Sequence, residues 1–384
     1  MTGSLIPNAL SLTLSAAALG QALLCAALLL LAPKPSAHQR WLAAIFIALA
    51  ILATGPLSAT LSSALYPFAM GLMLAALYAL PPLIWLYTVQ LTTPEGDGML
   101  TPQWPHILPP LAGMTGLVSL WTLPSDVRRT MLVYGDLPDT SHAAAVAIWL
   151  FGLVLVWNLV SGAYAVALLR RLSRYRSRLR DLFSNNDGRE LFWLSGIVAV
   201  ITAVWGLSVG ILLIDNLFAP IPLPSSLGPF LLILLIGAFA LRGLRQSPGL
   251  QSDGLARTSN PEGDKYKKSA LGEAQAQRIA ERLETAMRTD RLYLDPALSL
   301  QKLSRHISVA PNLVSQTLNQ KLEETFFDFV NRARIEAALP RIAQGKDTVL
   351  TIALDVGFNT RSTFYSAFKH VTGKTPREYR NAQA

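Results

Sequence analysis

The chain has 384 residues, of which 51% are hydrophobic and only 15% charged, with a formal net charge of +9. A soluble protein of this size carries about a quarter charged residues, so an ordinary soluble fold along the whole length is excluded. The single cysteine, Cys25, excludes an internal disulfide and a cysteine-based metal cluster.

The average conceals two halves. Residues 1–245 are mostly long apolar runs, whereas residues 246–384 have soluble composition. Crossing a bilayer takes about 20 apolar residues. Seven runs read as spans: Ala9–Leu31, Trp41–Leu61, Leu65–Leu91, Trp104–Leu123, Ala143–Leu169, Leu191–Ile214 and the shorter Gly228–Leu241. The first has no Lys or Arg ahead of it and is too long for a signal-peptide core, so it reads as a retained span.

Loop charge sets the expected orientation. The loop after the fifth run, LLRRLSRYRSRLRD, carries Arg170, Arg171, Arg174, Arg176, Arg178 and Arg180 against one acid, Asp181. It reads as cytoplasmic, and with it the C-terminal half; the N-terminus then lies outside. Two loops fit this order less well: the one with Glu95 and Asp97, and the one with Arg128 and Arg129. The arginine run itself reads as an anchor on anionic lipid, with contact to DNA held at the membrane as the second reading.

Polar residues within the runs are sparse. Asn158 lies mid-span and needs a partner, either a packing hydrogen bond between helices or a ligand. Asp215 lies near a span end. Pro81-Pro82 and Pro109-Pro110 should kink or interrupt their helices. The chain shows no nucleotide loop, no HExxH pair and no nucleophile elbow, so neither a cofactor, a metal nor catalysis is expected.

Gln246 to Gly272, rich in Gly, Ser, Pro and charge, reads as a flexible tether. Beyond it a helical period returns with Ile279, Leu283 and Met287. A first helix-turn-helix follows. Ser299 caps a helix holding Leu300, Leu303 and Ile307, the turn is Ser308-Val309, and a second helix opens at Ala310-Pro311. That second helix keeps Leu313 and Leu318 for the core and leaves Asn312, Ser315, Gln316 and Asn319 outward. A long helix, about Thr325 to Ala343, turns Phe326, Phe329, Ile335 and Leu339 inward. The last stretch, Thr348 to Arg380, repeats the layout. A short apolar helix (Val349, Ile352, Ala353, Val356) meets Gly357-Phe358. A second helix then buries Phe364 and Phe368 and presents Arg361, Ser362, Tyr365 and Lys369.

Residues 280–380 resemble the DNA-binding domain of AraC/XylS-type transcription regulators. The pieces that carry the resemblance are LDPALSLQKLSRHISVAP, FFDFVNRARIEAAL and IALDVGFNTRSTFYSAFKHVTGKTPREYR. It covers about a quarter of the chain and implies two helix-turn-helices joined by a long helix, reading successive major-groove segments. It further implies base contacts from Arg361, Ser362 and Tyr365, with Thr360 and Lys369 toward phosphates, and from Asn312, Ser315 and Gln316 at the first site. Arg361 could instead be a solvated surface charge. The sequence departs from the family pattern at Ala310, where a capping Ser is common, and at Glu323-Glu324, where a small turn residue is common. The first reading face also lacks a basic residue. Together these departures predict that the first site contributes less affinity.

The expected fold is therefore all-α: a seven-span transmembrane bundle (1–245), a linker (246–272) and a soluble domain with two helix-turn-helix motifs (273–384). The expected function is that of a one-component regulator in a bacterial inner membrane. Its partners would be double-stranded promoter DNA, the lipid bilayer, a signal ligand and, for an activator, RNA polymerase; paired sites would favour a homodimer. The alternative is a transporter or channel with a DNA-binding regulatory tail, against which the sparse intramembrane charges argue.

Overall fold

The computed structural model describes residues 8–61, 65–93, 103–134, 136, 139–218, 223–246, 249 and 272–383. The loop bearing Glu95 and Asp97, and most of the tether read at 246–272, lie outside the described residues. Among the described residues there is no strand; Phe183 and Ser299 form one isolated antiparallel bridge. The chain forms two compact units. The first comprises residues 1–171 and 192–248, and the second comprises residues 172–191 together with 249–384.

The first unit begins with α1 (Ala9–Leu30), α2 (Ala37–Leu61) and α3 (Tyr66–Thr92). Asn8 caps α1 by accepting from Ser11 N at 2.7 Å. Pro81 and Pro82 lie inside α3, which continues through them rather than being interrupted. The fourth run does break. Trp104–Ile107 is a 3-10 turn, and the helix proper, α4 (Leu108–Trp121), starts only where Pro109 and Pro110 fall in its first turn. A Cβ on Gly113 would stand 2.8 Å from Ala75 Cα, and one on Gly71 would stand 2.8 Å from Leu117 Cα. Glycine on both sides thus lets α3 and α4 pack backbone to backbone. After a short α5 (Ser125–Arg129) and a π turn comes α6 (Ser141–Leu182), then α7 (Phe192–Leu217) and α8 (Leu227–Gly243). Tyr78 Oη donates to Leu153 O at 2.6 Å, and Trp157 Nε1 donates to Leu77 O at 2.9 Å, tying α3 to α6. Asn158 Nδ2 donates to Val154 O one turn back in its own helix, at 2.9 Å, rather than to a neighbouring helix.

Five described helices are long and apolar enough to cross a membrane: α1, α2, α3, α6 and the Phe192–Asp215 stretch of α7. The sequence predicts seven. The two that fall short are α4, with 14 residues, and α8, with 17. At 1.5 Å per residue they reach roughly 21 and 26 Å, short of the ~30 Å hydrocarbon layer.

The arginine run is helix rather than loop. It continues α6 to Leu182, giving a helix of 42 residues. Leu168, Leu172, Tyr175 and Leu179 are buried along one edge, and their 4-3-4 spacing carries the helical period through the arginines. Arg170, Arg174 and Arg178 line the open face.

In the second unit α9 (Glu273–Arg288) packs through Ile279, Leu283 and Met287, as the period predicts. Then follow α10 (Leu300–His306), α11 (Pro311–Gln320), α12 (Phe326–Gln344), α13 (Val349–Asp355), α14 (Arg361–Thr372) and α15 (Pro376–Gln383). There are two cores. One gathers α9, α10, α11 and the front of α12 around Leu283, Leu303, Val314, Phe326 and Phe329. The other gathers the rear of α12 with α13 and α14 around Ile335, Ile342, Ile352, Phe364 and Phe368. The long helix α12 is the shared wall.

Candidate nucleic-acid interface

Each half of the second unit is a helix, a tight turn and a second helix. In the first half Ser299 caps α10, its Oγ accepting from Lys302 N at 3.3 Å. Ser308 makes the turn at φ +52°. Ala310 stands at the N-cap of α11 with no side-chain hydrogen bond, and Pro311 opens the helix. Val314 and Leu318 are buried and Leu313 packs beside them. Asn312 is exposed, while Ser315 and Gln316 are half-buried. Gln316 Nε2 donates to Gln320 Oε1 at 3.0 Å, and Asn319 Nδ2 approaches Ser315 Oγ at 3.4 Å, so these side chains pair along their own helix. No basic residue lies in α11.

In the second half Thr348 caps α13. Gly357 makes the turn at φ +93°, a conformation that favours glycine. Thr360 caps α14, its Oγ1 accepting from Thr363 N at 3.3 Å. Phe364 and Phe368 are buried in contact with each other, and Phe358 meets Phe364 edge-on. Thr360, Arg361, Ser362 and Lys369 are exposed and Tyr365 is half-buried. The guanidinium of Arg361 lies 4.9 Å from the Tyr365 ring centroid, and its Nη2 donates to Tyr365 Oη at 3.0 Å. The structure thus brings Arg361, Ser362, Tyr365 and Lys369 onto one outer face of one helix. It places Asn312, Ser315 and Gln316 on another helix, α11, in the other half.

Sequence reasoning missed the residue that joins the halves. Arg334, mid-way along α12, is completely buried. Its Nε donates to Tyr293 O at 2.8 Å and its Nη2 to Asp295 O at 2.9 Å, both just ahead of the first helix-turn-helix. Its Nη1 donates to Ser184 O and to Asn331 Oδ1, each at 3.2 Å. Its guanidinium also lies 5.4 Å from the Phe358 ring, in the second turn. Burial pushes the guanidinium down to about 10, with the Asp295 charge offsetting part of the effect. The same cluster explains Gly357. A Cβ there would stand 2.5 Å from Tyr293 O and 3.1 Å from Arg334 Nε. The signal in the sequence was position: Arg334 falls on the i, i+4 row Phe326, Val330, Ala338, Ile342, all buried.

Residues 303–382 match the family described as "Helix-turn-helix domain". They are a helix-turn-helix domain. An uncharacterized HTH-type transcriptional regulator of Staphylococcus aureus (strain COL) is 34% identical over 89 residues, which make up 23% of this chain and 12% of that protein. The melibiose operon regulatory protein of Escherichia coli is 27% identical over 86 residues, 22% of this chain and 28% of that protein. The likeness therefore spans a small part of either relative's length. Both relatives are named as regulators, not enzymes. Among solved structures, the C-terminal domain of AraT, a response regulator from Geobacillus stearothermophilus, is 24% identical, with a TM-score of 0.25. The match covers 30% of this chain and 88% of that one.

Proposed function

We propose that the chain is a membrane-embedded, one-component transcription regulator whose helix-turn-helix domain binds promoter DNA by sequence. The observation that carries the DNA reading is the outer face of α14. A capped helix presents Arg361, Ser362, Tyr365 and Lys369 together over a fixed aromatic floor. In a helix-turn-helix that face enters the major groove, and an arginine there bonds guanine O6 and N7 bidentately. Thr360 and Lys369 face the flanking phosphates. Asn312, Ser315 and Gln316 read the neighbouring segment through polar, uncharged contacts. Two such proteins on paired sites form a homodimer, and an activator of this kind also contacts RNA polymerase.

The membrane reading is supported by α7. Its Phe192–Asp215 stretch is strongly apolar, yet few of its side chains beyond Leu194, Val198 and Ile201 are buried, a surface that lipid covers and water does not. Residues 172–191 and 249–384 form one compact unit, which fits an even number of crossings between them. This supports α7 and α8 as an antiparallel pair of crossings, with α8 accommodated by local thinning. The arginine-bearing end of α6 then shares the cytoplasmic side with the DNA-binding unit. An outside N-terminus further requires the broken Trp104–Trp121 stretch to cross. A signal at the bundle acts by binding two arrangements of the helices unequally.

The test uses the full-length chain in lipid nanodiscs and duplexes from the region beside its gene. Binding is expected to prefer one duplex and to weaken with salt at a log–log slope of roughly −0.9 per phosphate contacted. A protein that binds no duplex at any salt, or that stays in the soluble fraction of its host when the membranes are pelleted, overturns the respective half of the reading.

A further inference from the structure

Between α6 and α7 the chain makes a short turn, residues 183–191, that belongs to the same compact unit as the helix-turn-helix domain. Its first residues are bound tightly there. Phe183 bridges to Ser299, the cap of α10. Ser184 N and Oγ both donate to Leu298 O, at 3.2 and 2.7 Å. Ser184 also accepts from Arg334 twice: its O from Nη1 at 3.2 Å and its Oγ from Nη2 at 3.3 Å. Three residues on, the turn reaches the other half of the domain. Asp187 Oδ1 accepts from Thr363 Oγ1 at 2.6 Å. Thr363 lies in the first turn of α14, and its Oγ1 is also 2.9 Å from Oγ1 of the cap, Thr360.

We propose that residues 183–191 are an autoinhibitory clasp, in which the Asp187 carboxylate occupies the place of a DNA phosphate at the N-terminal turn of α14. The inference rests on the DNA-binding reading above. The first turn of a helix carries unsatisfied N–H groups and the positive end of the dipole, so it attracts an anion. Helix N-termini and threonine hydroxyls are among the groups that hold DNA phosphates and set the register of a reading helix. Asp187 fills that position at Thr363, and a phosphate brought to the same hydroxyl meets a like charge. Ser184 and Arg334 anchor the clasp in the interior, whereas Asp187 is exposed and displaceable. The turn is covalently continuous with α6 at one end and α7 at the other. A rearrangement of those helices therefore pulls on the clasp itself.

The experiment measures binding of the full chain, in nanodiscs of neutral lipid, to a random-sequence 30-base-pair duplex over a salt series. Asp187→Asn removes the charge and keeps the shape. It is expected to bind roughly two- to fivefold tighter, the effect of one charge at a helix terminus, with a salt slope steeper by about one contact. Asp187→Glu keeps the charge and is expected to match the parent. Hydrogen exchange gives a second readout: adding duplex should speed exchange of the Asp187 amide, which donates to Asn185 Oδ1, and protection there overturns the proposal. If the parent binds and Asp187→Asn binds no tighter, or if Asp187→Glu tightens as much, the clasp falls while the DNA reading stands. If no variant binds DNA, the DNA reading falls and takes the clasp with it.

Discussion

At the turn of the first helix-turn-helix stands Ser308, at φ +52°; at the matching point of the second stands Gly357, at φ +93°. The second helix of the first pair begins at Ala310 without a side-chain cap, whereas the second helix of the other begins at a capping Thr360. The first outer face has no basic residue; the second has Arg361 and Lys369. The loop into α12 adds Glu323 at φ +55°, another side chain held where glycine is favoured. Local rules are thus met throughout the second half and broken three times in the first. The difference has a physical source. The second turn is pinned from outside, by Tyr293 O and Arg334, so only glycine fits. The first turn meets no such obstacle, and strain of about 1 kcal/mol can persist there.

Seven substitutions sharpen or break that contrast. Arg334→Lys should have the largest effect. An ammonium cannot reproduce the planar fork that reaches Tyr293, Asp295 and Ser184, and a loss of about 3–5 kcal/mol is expected. It should loosen both halves together in hydrogen exchange; loosening of only one would show that Arg334 does not join them. Gly357→Ala should cost about 2–4 kcal/mol through clash and strain, whereas Ser308→Gly should gain about 0.5–1 kcal/mol. Denaturant titration of the full chain checks both, and equal responses would dissolve the contrast. Arg361→Ala should weaken a specific duplex by about 1–3 kcal/mol and Gln316→Ala by clearly less; an equal loss in titrations would make the first site a full partner. The caps give the smallest effect. Thr360→Ala should cost about 1 kcal/mol, and Ala310→Ser should return a similar amount, read as opposite shifts of melting temperature.

Much of the second unit was legible because its helices bury one stripe each. Ile279, Leu283 and Met287, and Phe364 and Phe368, are buried where the period puts them. The turn residues and Pro311 placed both helix-turn-helices for the same reason: they act locally. What failed was non-local or masked by charge. Six arginines hid the Leu168-Leu172-Tyr175-Leu179 stripe, so a continuing helix read as a loop. Apolar length counted Trp104–Leu123 as one span, although its prolines divide it. The outward residues of α11 and α14 follow from which positions are buried, but their pairing, Gln316 with Gln320 and Arg361 with Tyr365, does not. Arg334 was unreadable in its partners, since no spacing rule links a guanidinium to a carbonyl 150 residues away.

That separation has a consequence for biosynthesis. Ser184 leaves the ribosome long before Arg334, and α7 and α8 are made in between. At roughly 5–20 residues per second, the gap lasts about 8–30 s. During it the 183–191 turn has no Arg334 to dock on. The helix-turn-helix unit closes later than α6 and α7, on a turn already held between those two helices. A nascent chain therefore gains both helix-turn-helices only after α7 and α8 have been made.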